Sequence, residues 1–81
     1  MELVTTKIVV PFVPLLRAIC FVLKARPPQY TNIGVHRNCA SVSVKVPESV
    51  YEHIFYGDGQ PTIEACFELA ARLMSVFLVK R

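Results

Sequence analysis

His36, His53, Asp58, the serines and the cysteines are the side chains of this chain with the chemistry for acid–base, nucleophilic or metal-binding work. Their spacing assembles none of it. No serine lies in a nucleophile elbow, no two carboxylates form a catalytic pair, and Gly57-Asp58-Gly59 is too short to cradle a phosphate, so it reads as a turn. Cys20, Cys39 and Cys66 are odd in number and widely spaced, with no Cys-x-x-Cys and no nearby His pair. They read as reduced core thiols of an intracellular protein. His53, inside an apolar run, reads as a surface or interface residue. The expectation is a protein that is not an enzyme, with no catalytic residue, metal, cofactor or small-molecule substrate.

The remaining chemistry is electrostatic and apolar. Lys and Arg number 9 against 6 Asp and Glu, a net charge of +3 with the histidines neutral. That balance is compatible with nucleic acid, but no basic run demands it. Apolar residues make up 53% of the 81 and charged residues only 19%. A chain this short hides only roughly 60% of its unfolded surface, so such an apolar excess points to a buried interface. The apolar run from Ile8 to Leu23 is interrupted by Pro11, Pro14 and Arg17 and is shorter than a bilayer requires, which excludes a membrane span. Glu2 and the lack of a small-residue cleavage site argue against a secretory signal, leaving nucleus or cytoplasm as the expected location.

The elements that must position these groups follow from periodicity. β-branched residues from Leu3 to Val10 suggest a strand or extended arm over residues 1–12, ahead of a domain over 13–81. Pro14 suits a first helical turn, and Leu15, Leu16, Ile19, Cys20, Val22 and Leu23 give a helical apolar face ending near Arg26, before Pro27-Pro28. Arg17, Phe21 and Lys24 lie opposite, with the ring between two cations, a candidate patch for cation–ring contacts. Tyr30 to Val35 has strand composition, and His36-Arg37-Asn38-Cys39 has turn chemistry. Ser41 to Val46 alternates strictly, with Val42, Val44 and Val46 inward. Val50 to Tyr56 reads as a strand apolar on both faces, Val50, Ile54 and Tyr56 on one and Tyr51 and Phe55 on the other. A final helix from Pro61 to Leu78 places Ile63, Cys66, Leu69, Ala70, Leu73, Val76 and Phe77 on the core side. Its polar stripe is Glu64, Glu68, Arg72 and Ser75. The fold class is α+β, in the order α-β-β-β-α: two helices on one face of a three-stranded antiparallel sheet.

Several local features in this order resemble the double-stranded-RNA-binding domain. They are Pro27-Pro28-Gln29-Tyr30 before the first strand, Gly34 and His36 in the following loop, the Gly57 and Gly59 turn, and Ala65, Ala70 and Ala71 in the last helix. The resemblance covers about Val13 to Leu78. It implies a module that grips duplex RNA by shape, with lysines at the start of the last helix on phosphates. Here those positions read Thr62, Ile63 and Cys66, beside Glu64 and Glu68. Losing three ammonium contacts removes much of the counterion-release term, so duplex binding is expected to be weak or absent. The residual RNA contacts that the resemblance implies are Arg17 and Lys24 on the first helix and His36 and Arg37 in the loop. What remains resembles the non-RNA-binding, C-terminal domains of plant proteins that partner Dicer-like enzymes. Those domains imply a protein-interaction module in RNA silencing, pairing with another such domain or with itself through the third strand. Val50, Tyr51, Ile54, Phe55 and Tyr56 are then the partner-binding residues. An alternative reading is a dimeric ribbon-helix-helix DNA-binding regulator, in which Ser41, Ser43 and Lys45 face the major groove and Val50 to Tyr56 is helical.

Overall fold

The structure, a computed structural model, describes residues 11–80. The expected extended arm lies outside them, except that Pro11 and Phe12 open the first helix. That helix, α1, spans Phe12–Val22, with Pro14 in its first turn as its fixed φ favours. Leu16 and Cys20 are buried, and Phe12, Val13, Ile19 and Leu23 pack around them. The covered stripe is narrower than the sequence periodicity implies, for Leu15 and Val22 are exposed. α1 ends in a Schellman motif: the Ala25 N–H donates to the Cys20 carbonyl (2.9 Å) and the Lys24 N–H to that of Phe21 (3.1 Å). Lys24 holds the left-handed slot at φ 61°, where glycine is usual. Pro27-Pro28 then forces an extended chain.

Three antiparallel strands follow: β1 Gln29–Asn32, β2 Cys39–Val44 and β3 His53–Asp58, in sheet order β1-β2-β3. β1 stops short of the expected Val35 because the Asn32 side-chain oxygen accepts the Gly34 N–H (3.2 Å) and turns the chain. Ala40, Val42, Val44 and Val46 are buried, as the alternation predicts. β3 begins later than Val50 and runs on through Gly57 and Asp58. Ser49 explains the delay: its hydroxyl accepts the Tyr51 N–H (3.2 Å) and donates to the Tyr51 carbonyl (3.0 Å), keeping Val50 and Tyr51 in a turn. The strand assignment of His53–Asp58 removes the helix that the ribbon-helix-helix alternative needs there.

The second helix, α2, spans Ile63–Lys80. Thr62 caps it, its hydroxyl accepting the Ala65 N–H (3.1 Å). Cys66, Ala70, Ala71, Met74 and Leu78 are buried against the sheet and α1. β3 passes so close beneath that a Cβ at Gly57 would collide with the Cys66 carbonyl, so Gly57 is a strand residue and not the start of the turn. Gly59, at φ 73°, makes the turn itself. Two members of the expected polar stripe are not polar surface. Ser75 is buried and donates its hydroxyl to the Ala71 carbonyl (2.7 Å). Glu68 reaches α1, where its carboxylate accepts the N–H groups of Phe12 (2.7 Å) and Val13 (3.4 Å). Leu73 and Val76, assigned to the core side from periodicity, are partly exposed.

Candidate interaction site

The register settles which side chains share a face. Tyr30, Val42 and Phe55 form one row under the helices, and Gln29, Ser43 and Ile54 form the next row on the open side. Thr31, Ser41 and Tyr56 continue the open side. Its centre is therefore short and polar, while its β3 margin carries Ile54 (47% exposed) and Tyr56 (55% exposed). Among the described residues β3 pairs only with β2, so one line of its backbone groups faces outward. Within His53–Asp58 there is no proline and no lysine to block pairing. Asp58, its one carboxylate, is taken by Arg37 in a bidentate pair, Nε to Oδ1 at 2.8 Å and Nη2 to Oδ2 at 2.7 Å.

The five partner-binding residues expected from the sequence thus divide. Ile54 and Tyr56 lie together on the open side of the edge strand. Val50 (80% exposed) and Tyr51 (75% exposed) sit in the preceding turn. Phe55 points the other way and packs on Phe77, ring centroids 5.4 Å apart. His53 stands on the same inner side, 4.8 Å from the Phe77 ring.

The four candidate RNA contacts do not form one surface. His36 and Arg37 lie in the loop between β1 and β2, whereas Lys24 follows α1 and shares a depression with Lys45, past the other end of β2. A strand of that length separates the ends by about 20 Å. Arg17 is exposed mid-way along α1. Arg37 is engaged by Asp58, whose hydrogen bond and charge raise its pKa further. The loop is held in place from the other side as well: Asn38 donates to the carbonyls of Gln60 (3.1 Å) and Pro61 (2.9 Å). At the start of α2, Cys66 is fully buried, so the exposed first turn presents Glu64 and no cation.

Burial pushes the Cys20 thiol up, away from the reactive thiolate. The Tyr30 hydroxyl is buried without a hydrogen-bond partner among the described residues, and burial, with Glu68 and Cys20 nearby, pushes its pKa up to about 12. Three cysteines are free, and no group of three or more His, Cys, Asp and Glu among the described residues is placed to hold a metal. No helix among them is long and apolar enough to cross a membrane.

Sequence reading did not find Glu68 as a cap, because a helix-to-helix contact leaves no local signature. It set Ile54 and Tyr56 on the face opposite Phe55, as the register has them, but it extended the strand back to Val50 and Tyr51, which the Ser49 hydroxyl holds outside β3. The fold and site define a small α+β domain with an exposed edge strand and two apolar side chains, Ile54 and Tyr56, beside it. Comparison with protein-family models, curated proteins and solved structures finds no match for this chain.

Proposed function

We propose that this chain is a non-catalytic protein-interaction module that pairs through the edge of β3 with another domain of the same α-β-β-β-α build or with a second copy of itself. The observation that carries the reading is the unblocked edge of His53–Asp58, with Ile54 and Tyr56 exposed beside it. A strand added there would satisfy the outward backbone groups and cover both side chains. The resemblance to degenerate double-stranded-RNA-binding domains supports an intracellular role in RNA silencing or small-RNA processing. Loss of duplex binding is supported by the run from Gly59 to Ala71, which holds no Lys or Arg, and by the dispersal of the remaining cations.

Two measurements test the reading. Ile54→Lys together with Tyr56→Lys places like charges on the edge while touching no buried side chain. Sedimentation should show association at high protein concentration for the wild type and at least tenfold weaker association for the double variant; equal association of the two would refute the edge as the interface. In gel shifts at physiological salt the chain should show no submicromolar, length-dependent binding to duplex RNA. Such binding would overturn the claim that the RNA function is lost.

A further inference from the structure

A second apolar surface lies on the other side of the molecule, where both helices finish. Ala18, Ile19, Val22 and Leu23 form one wall of a groove, and Leu78 and Val79 of α2 form the other. Leu15, Ala18, Ile19 and Val22 recur at i, i+3, i+4 and i+7, so this wall is a stripe of its own beside the buried ridge of Leu16 and Cys20. Val22 and Val79 are 75% and 72% exposed. α2 continues the surface with Val76, one turn before Val79. A helix that is apolar on nearly every side is normally covered on every side.

The charged side chains that line the depression beside this groove are cations. Lys24 and Arg26 follow the α1 wall directly and, with Lys45, line the adjoining depression beside Val46 and Pro47. Lys80 follows Val79 in the last turn of α2. Among the described residues no acidic side chain lines the groove or the depression. α1 contains no acid, and those of α2, Glu64 and Glu68, belong to its first half. Cations at helix C-termini also oppose the helix dipole. Lys24, however, does so from a left-handed backbone position that glycine would occupy with less strain.

We infer that this groove docks an amphipathic helix of another protein, one whose apolar stripe is flanked by Asp and Glu. α1 and α2 run side by side in the same direction, Phe12 meeting Glu68 and Leu23 meeting Leu78, which leaves a furrow that a third helix fills ridge into groove. Leu15 to Val22 extends about 10 Å, two helical turns, which suits anchors at i, i+3 or i+4, and i+7. Ala18 in its middle lets the incoming backbone approach closely. The surrounding cations select acidic flanks and reject basic ones. Ile54 and Tyr56 lie on the sheet face turned away from the helices, so this inference does not rest on the pairing of β3.

The test is a selection from randomised displayed peptides of about 16 residues, enough for four helical turns. The full chain is the target and Val22→Asp the counter-target. Enriched peptides should space apolar residues at i, i+3 or i+4, and i+7 between acidic ones. They should bind at least tenfold more weakly to Val22→Asp and to Ala18→Gln, which fills the groove without adding charge. Lys24→Gly, with a backbone better suited to its position, should lose binding several-fold while gaining thermal stability. Four results would overturn the inference: no enrichment over the counter-target, enrichment of basic or strand-forming peptides, equal binding to wild type and Val22→Asp, or a groove that binds only phosphatidylserine vesicles and no peptide.

Discussion

Glu68 shows how one side chain can join two elements that are remote in sequence. Pro11, at the N-cap of α1, offers no side-chain oxygen, and the first turn of that helix contains no acid. Its free N–H groups would be left to water without the carboxylate that α2 brings to Phe12 and Val13. Charge-assisted bonds of this kind contribute on the order of 1–2 kcal/mol, so Glu68→Ala should lower stability by about that amount in denaturant titration. Glu64→Ala, one turn earlier and exposed, should be close to neutral. Tyr30 poses the opposite case, a buried hydroxyl with no partner among the described residues. Tyr30→Phe removes that unsatisfied group and should leave the fold as stable or more so, by up to about 1 kcal/mol. The raised pKa has a defined sign. Folding holds the phenol proton more tightly, so its contribution to stability is complete below the ordinary value of 10.0 and is lost as pH rises through about 12. Wild type should therefore lose stability over that interval, and Tyr30→Phe should lose less of it, as read by denaturant midpoints at successive pH values.

β3 and α2 approach each other at Gly57, where backbone takes the place of side-chain packing. Any Cβ there meets the Cys66 carbonyl and the Ala70 nitrogen. Gly57→Ala should consequently cost about 3 kcal/mol, measured by thermal unfolding, while Gly59→Asn, whose residue tolerates positive φ, should be mild. The element order was legible from periodicity because Val42, Val44 and Val46 alternate and Leu16, Cys20, Ala70 and Met74 fall on helical stripes. The boundaries were less legible where a local side-chain bond overrode composition, as Ser49 does for Val50 and Tyr51. Helical spacing also places Leu15, Val22, Leu73 and Val76 inward, yet all four are exposed. Periodicity finds the centre of a stripe but not its width, and only packing reveals that Val22 and Val76 lie outside it. At the candidate site, Ile54 and Tyr56 were accessible to sequence reading as β-favouring residues. Alternation also separates them from Phe55, but which of the two faces the helices cover follows only from the register with Ser41, Val42 and Ser43 and the contact of Phe55 with Phe77.

An 81-residue chain has little interior to spare, yet this one sends much of its apolar content outward in two directions. One direction is the β3 margin and the other is the groove between the helix ends. The cations follow a similar division, with Arg37 closed onto Asp58 at one end and Lys24, Arg26 and Lys45 gathered at the other. This distribution suits a domain that assembles with partners, and the cations among the described residues do not form the continuous basic face a duplex needs. Because so small a core leaves stability marginal, association should also stabilise the fold by mass action and raise its melting temperature with protein concentration. The central claim, that the β3 edge is where this domain pairs, is tested most directly by amide hydrogen exchange. Exchange should be compared between dilute and concentrated protein, in the wild type and in the Ile54→Lys, Tyr56→Lys variant. The outward amides of His53–Asp58 should become protected as the wild type is concentrated, and the variant should show no such gain. Exchange in β3 that stays the same at every concentration, or protection that appears elsewhere and persists in the variant, would contradict that claim.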